Sequence, residues 1–235
     1  MSMKAFSTPA IMEASVSPHV SHAMLNDGIV EARAYQLEAV DEALSSSMLL
    51  VMPTAAGKTA VIWMMISEKL SRGGRVMMIA PTVGLVEQHI RSLREVLKLK
   101  DGIVQITGQL PPAKRVEKWD GARLVVATPK VVVNDVSNGV VDLSDFSVLV
   151  VDEAHHCTGD HAMAQVCDNY ISRNVRPHIL GVTASPGHRP EAVREICKRT
   201  GAVRIHIRNS AEEMLSGYLS ELEVREITVS VPDEI

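Results

Sequence analysis

The sequence predicts an α/β fold in which a mainly parallel sheet carries helices on both faces. Three observations lead there. Short apolar runs recur along the chain, each run is continuous rather than alternating, and the segments between runs are long enough for a helical crossover. A strand buried on both faces has no polar side, and parallel neighbours need a crossover of about a dozen residues or more.

Residues 1–24 mix Ser, Pro, His and Met without period and read as a flexible leader. Leu37, Val40 and Leu44 then repeat at helical spacing, and the run Ser45-Ser46-Ser47 closes that helix. The first strand is expected in SMLLVM (47–52), and KTAVIWMMISEKL (58–70) follows it as a helix. Further strands are expected in RVMMIA (75–80), GIVQIT (102–107), RLVVAT (123–128), SVLVVD (147–152) and HILGVT (178–183), separated by segments of helical character. RPEAVREICKRTG (189–201) reads as one more helix, leading to a last strand in VRIHIR (203–208). Residues 221–231 alternate as a half-exposed strand would, then stop without a partner element. The expected body is therefore one lobe over 25–215, with 216–235 a strand and linker at a domain junction.

A chain of 235 residues that is 46% hydrophobic can bury one sizeable core but not a second domain of equal size. Aromatics make up 3% while Met reaches 12 residues, so that core is expected to pack through aliphatic and thioether groups. The formal charge of −4 excludes a bulk positive field, and any contact with a polyanion must be local. Cys157, Cys167 and Cys197 form no C-x-x-C pair, the pattern of reduced cytosolic thiols rather than a disulfide scaffold. His155, His156, Cys157 and His161 crowd together, but no second paired ligand set completes a zinc pattern. With no signal-peptide start and no apolar stretch near the roughly 18 residues of a bilayer span, a soluble cytoplasmic protein without a membrane partner is expected.

In an open parallel sheet, ligands bind outside the carboxyl ends of the strands. Just after the expected strands stand PTAAGKT, PTVG, TGQ, TPK, DEAH and TASPG. Pro53, Thr54, Ala55, Ala56, Gly57, Lys58 and Thr59 lie between a strand and a helix, the setting of a phosphate loop. There the loop and helix N-terminus present N–H groups to phosphate, Lys58 reaches the β/γ oxygens and Thr59 ligates Mg²⁺. Met52 stands where the strict loop pattern has its first glycine. Asp152 and Glu153 end a buried strand as adjacent carboxylates, costly unless a cation neutralises them. Asp152 is placed to hold Mg²⁺, Glu153 to polarise the attacking water and His155 to sense the γ-phosphate side. Upstream, Arg33-Ala-Tyr35-Gln36 ends on an amide with one donor and one acceptor group, the pair that matches adenine.

These residues, together with A-P-T-x-x-L-V-x-Q, T-G-x-x-x-P-x-x-R, V-A-T-P, V-V-D-E-A-H and T-A-S-P-G in this order, resemble the motifs of superfamily-two helicases. The resemblance runs from about Leu25 to the chain end. HAMLNDG (22–28) leading into Arg33-Ala-Tyr35-Gln36, TGQLPPAKR (107–115), ATPKVVVND (127–135) and GVTASPG (181–187) are most similar to the archaeal Hef and FANCM branch, with RIG-I-like and Dicer-like enzymes as relatives. Departures are Ala55 in place of a usual Gly, His156 in place of Lys or Arg, and His161-Ala-Met163 in place of an aromatic-containing turn.

The resemblance implies a single RecA-like P-loop domain, an ATP-hydrolysing helicase lobe using ATP and Mg²⁺, in which Arg33, Tyr35 and Gln36 join the phosphate loop in holding nucleotide. It implies a DNA partner, forked or branched, with RNA possible, and a second RecA-like lobe that supplies arginines to the γ-phosphate. It assigns a nucleic-acid strand to Pro81, Thr82, Thr107, Gly108, Thr128, Pro129 and Lys130, where hydroxyls and helix N-termini take backbone phosphates. Those threonines read equally as plain helix caps. Gln88 and Arg91 are weaker candidates. Thr183 and Ser185 resemble the motif coupling hydrolysis to strand movement, or form a turn bonded to the D-E-A-H loop. Two further readings stand beside the branched-DNA lobe: a motor lobe tracking double-stranded RNA, and an ATP-gated binding module, which would have no use for a water-polarising Glu153. The chain reads as the N-terminal piece of a longer protein.

Overall fold

The computed structural model describes residues 19–53, 56–99, 101–187 and 189–207. Thr54 and Ala55 of the loop, the strand expected over 221–231 and the linker over 216–235 lie outside the described residues.

Among the described residues seven strands form the sheet: β1 (Met48–Val51), β2 (Val76–Ile79), β3 (Ile103–Ile106), β4 (Leu124–Ala127), β5 (Val148–Asp152), β6 (Ile179–Thr183) and β7 (Arg204–Ile207). Each falls inside one of the apolar runs. Every pairing is parallel, and the order across the sheet is β3-β4-β2-β5-β6-β1-β7. Among the described residues seven α-helices accompany them: α1 (Ala34–Ser45), α2 (Lys58–Ser71), α3 (Val83–Val96), α4 (Pro112–Asp120), α5 (Pro129–Ser137), α6 (Ala162–Arg173) and α7 (Pro190–Thr200).

The strand period of two sorts the core into two layers. Met48, Leu50, Met78 and Val150 pack with α1, α2 and α3 on one face. Leu49, Val51, Met77 and Val151 pack with α5, α6 and α7 on the other, where Trp119 of α4 and Phe146 also sit. Strands β1, β2, β4, β5 and β6 are buried throughout, which is why their sequences carry no polar alternation. Met48, Met52, Met64, Met65, Met77, Met78 and Met163 are all fully buried, so methionine here fills core.

The packed body begins earlier than the expected boundary at residue 25. Val20 and His22 are buried, and His19 bridges to Glu31. His22 Nδ1 accepts from Met24 N–H at 3.1 Å, which leaves Nε2–H to donate to Glu68 at 3.1 Å on the buried side of α2. An unperiodic sequence hid this attachment because the segment joins the core through isolated contacts, the Val20 and His22 side chains and a single bridge, and not through a helix or extended strand.

Candidate functional site

The topology gathers the candidate residues along one edge of the sheet and divides them. The carboxyl ends of neighbouring β3, β4 and β2 carry Thr107-Gly108, Thr128-Pro129-Lys130 and Pro81-Thr82. Those of β5, β6 and β1 carry Asp152-Glu153, Thr183 and the loop that leads through Gly57 into Lys58. Strand order, and not chain order, places the two groups side by side.

At the β1 end the chain enters α2 through Gly57, with φ 79° and ψ 33°. That left-handed turn favours glycine, and a Cβ at Gly57 would lie 2.1 Å from Gln36 Nε2. Gln36 Nε2 donates to the carbonyls of Ala56 and Gly57 at 3.4 Å each, and Tyr35 Oη donates to Ala56 O at 3.1 Å. Arg33 donates to Tyr35 Oη at 3.2 Å and pairs with Glu31. The trio expected to hold nucleotide thus braces the loop backbone. Gln36 is buried, so in this conformation its amide serves the loop instead of lying open to a base. Lys58, first residue of α2, is buried and donates from Nζ to Met52 O at 3.1 Å. Burial pushes its pKa below the usual lysine range, against the opposing pull of Glu153 and Asp152. Thr59 is half-buried at the helix start.

Asp152 closes β5 and is buried; its Oδ2 accepts from His89 Nε2–H of α3 at 2.7 Å. Its other oxygen has no hydrogen-bond partner among the described residues. Its carboxylate and the Thr59 hydroxyl at the start of α2 are each a hard-oxygen donor of the kind Mg²⁺ takes. Glu153 turns the chain at φ 57°, ψ 49°, the one positive-φ residue other than glycine among the described residues. A 3₁₀ turn over Ala154–His156 follows. It packs tightly against β6, where a Cβ at Gly181 would meet the Ala154 Cβ at 3.3 Å. His155 Nδ1 lies 3.1 Å from Thr183 Oγ1 and 3.3 Å from Glu153 Oε2. Thr183 donates its hydroxyl proton to Ser185 O at 3.0 Å, so its oxygen accepts from His155 Nδ1–H. The T-A-S-P-G turn and the D-E-A-H loop are therefore joined by a side-chain hydrogen bond. A cleft of about 490 Å³ opens beside Glu153 and His155, lined also by Thr158, Ser185 and Arg189.

His156 stacks on His161 with ring centroids 5.1 Å apart, and His155 lies tilted at 40° against His156 at 4.1 Å. Among the described residues no group of three His, Cys, Asp or Glu could hold a metal ion. The three cysteines are free and buried, with Cys157 Sγ 3.8 Å from Cys167 Sγ.

On the other half of the edge, Thr82 is exposed and caps α3, accepting from Leu85 N–H at 3.2 Å. Lys130 and Gly108 are exposed, Pro81 and Thr128 half-buried, and Thr128 caps nothing with its side chain. Thr107 is only 1% exposed and Pro129 is buried, so neither presents much surface to a strand, contrary to the expectation of a hydroxyl at Thr107 reaching phosphate. Gln88 and Arg91 face solvent on α3.

Two features escaped the motif reading. His89 occupies the apolar stripe Val86, His89, Ile90, Leu93, and a polar residue in such a stripe is the signal that could have marked it. Arg115, the last residue of T-G-x-x-x-P-x-x-R, is buried and holds Asp135 of α5 through Nε and Nη2 at 2.8 and 2.7 Å. Trp119 Nε1 donates to the same carboxylate at 2.9 Å, and Arg115 Nη1 donates to Leu110 O at 2.6 Å. This network ties the loop after β3 to the helix after β4.

A model of the DEAD/DEAH box helicase family matches residues 33–193. A putative ATP-dependent RNA helicase of Methanocaldococcus jannaschii is 36% identical over 217 residues, covering 92% of this chain and 28% of that protein. The DEAD-box ATP-dependent DNA helicase Fancm of Drosophila melanogaster is 33% identical over 210 residues, covering 86% and 14%. The crystal structure of the Pyrococcus furiosus Hef helicase domain superposes with a TM-score of 0.76 at 34% identity, over 80% of this chain and 40% of that one. The chain thus spans less than a third of the curated relatives named here. Among the described residues no helix is long and apolar enough to cross a membrane.

Proposed function

Because the chain belongs to the DEAD/DEAH box helicase family, with Hef- and FANCM-type helicases among its relatives, we propose that it is the ATP-binding lobe of a cytoplasmic, nucleic-acid-dependent ATPase that remodels forked or branched DNA. The observation that carries this reading is Lys58, buried at the start of α2 with its charge felt by Asp152 and Glu153, on the same sheet edge as the exposed Thr82, Gly108 and Lys130.

In this reading the Gly57-Lys58-Thr59 helix start receives the phosphates, and Lys58 directs its remaining N–H donors to their oxygens. Asp152 and Thr59 would hold the Mg²⁺ that accompanies ATP, which supplies charge neutralisation at the transferred phosphoryl group. Glu153 polarises the attacking water, with His155 orienting its carboxylate. The His155–Thr183 hydrogen bond carries the state of that centre to the Thr183-Ser185 turn. Thr54 and Ala55 complete the phosphate loop. A second RecA-like lobe supplies the arginine, a contribution of about 10³–10⁵ in rate, so residues 1–235 alone should bind ATP, turn it over slowly and unwind nothing.

The test is calorimetry of residues 1–235 with Mg²⁺-ATP, beside anisotropy titrations with forked DNA and double-stranded RNA at several salt concentrations. ATP binding and salt-dependent preference for the fork are expected. No ATP binding would refute the nucleotide site. Preference for double-stranded RNA would favour the alternative suggested by the RNA-helicase name of the Methanocaldococcus relative.

A further inference from the structure

We propose that His89 is a positioning residue for Asp152, and that through it α3 joins the nucleic-acid half of the sheet edge to the metal-facing carboxylate. The inference rests on the metal-holding role given to Asp152 above. His89 Nε2 and Asp152 Oδ2 are 2.7 Å apart across 63 residues of chain, and both side chains are nearly excluded from solvent, at 10% and 12% exposure. An Nε2–H donated to Oδ2 fixes the carboxylate rotation and leaves the other oxygen as the one free to face a cation. A buried carboxylate on a strand end has no other hydrogen-bond donor among the described side chains, so its orientation depends on this contact.

The same helix begins at Thr82, an exposed residue whose hydroxyl caps it. Two turns separate that cap from His89. Helices move as rigid units within a packed core, so a phosphate held at the Thr82 end and the carboxylate held at the His89 end bear on one body. His89 sits in the stripe Val86, Ile90, Leu93 that anchors α3 to the sheet, which makes the contact part of the helix packing and not a loose surface bond.

The experiment measures ATP affinity of the 235-residue chain in Mg²⁺ and in EDTA, by calorimetry, for the wild type and for His89→Ala, His89→Asn and His89→Gln. Removing an outer partner of a metal-holding group costs about 10–100-fold in metal affinity, so His89→Ala should lose about that much of the Mg²⁺-dependent gain. Its affinity in EDTA should stay near the wild-type value. The Gln amide nitrogen reaches about as far as imidazole Nε2, whereas the Asn amide stops short, so His89→Gln should restore the gain and His89→Asn should not. That pair of similar polar side chains decides the matter even where the alanine variant folds poorly. An unchanged Mg²⁺ gain in His89→Ala and His89→Asn, or an equal loss in Mg²⁺ and in EDTA, would overturn the proposal. A wild-type chain that binds ATP with no Mg²⁺ gain would instead remove the metal role of Asp152 itself, and the inference with it.

Discussion

Replacing Lys58 with Met separates what the lysine does for nucleotide from what it does for the fold. Methionine keeps an unbranched chain of similar reach in the buried position and removes the ammonium. Lys58 has three N–H donors, and one is used on Met52 O. Two remain for phosphate oxygens, and a hydrogen bond to a charged group contributes about 1.5–3 kcal/mol. The expected loss is about 3–6 kcal/mol, or roughly two to four orders of magnitude in Kd at 1.4 kcal/mol per tenfold. The free protein should respond far less. Burial already disfavours the lysine charge, and its removal relieves that desolvation while leaving Met52 O without a donor. The two effects oppose each other, so the melting temperature of the nucleotide-free variant should stay within a few degrees of wild type. Thermal shift with and without saturating Mg²⁺-ATP, followed by calorimetry, reads both quantities. Saturation at about 100 Kd stabilises a binding protein by about 2.7 kcal/mol, so the wild type should gain several degrees and the variant none. A folded Lys58→Met chain that binds ATP within a few-fold of wild type would refute the assignment of the phosphate loop.

Gly57→Ala forces an L-residue into a left-handed turn, costing about 1–2 kcal/mol, and drives its Cβ into Gln36 Nε2. Adding Gln36→Ala should recover part of the loss in melting temperature, because the clash goes with the amide; strictly additive losses would disprove the contact. Asp135→Ala strands the buried Arg115 guanidinium and the Trp119 N–H, and breaking one side of a buried ion pair costs about 3–5 kcal/mol; chemical denaturation should show a loss of that size, and a loss below about 1 kcal/mol would contradict the network. His178 donates Nε2–H to Ala43 O and accepts from Lys69 Nζ, and burial followed by the Lys69 charge holds its pKa below the ordinary value of 6.5. The folded state therefore binds its proton less readily than the unfolded chain, and stability present above about pH 6.5 should fall as the pH drops below it. The slope over that window should be shallower in His178→Gln, and an unchanged slope would place the effect elsewhere.

The strands were legible because β1, β2, β4, β5 and β6 are buried on both faces and so spell unbroken apolar runs. The positions of Lys58 and of Asp152-Glu153 at the ends of elements were legible because polar residues there stand out against those runs. What stayed hidden is non-local. The partners of His89, Arg115 and His22 lie 63, 20 and 46 residues away, and no local pattern names them. The strand order decides that β2 comes between β4 and β5, and single-chain periodicity is blind to pairing. Gln36 shows the limit differently: its amide chemistry fits a base, yet its depth beneath the loop became visible only with the packing of α1 against α2.

The left-handed backbone at Glu153 carries a further consequence. A side-chain-bearing residue held in that region costs about 1–3 kcal/mol, and the cost falls on the position after the Asp152 carboxylate. Glu153→Gly would relieve it, so a chain selected for thermal endurance alone should drift toward glycine there. The more durable variant would be the one without the carboxylate proposed to polarise water. Persistence of glutamate at 153 in a heat-selected library, under a requirement for ATP turnover, and its loss when that requirement is lifted, would display the conflict between endurance and catalysis at a single backbone position.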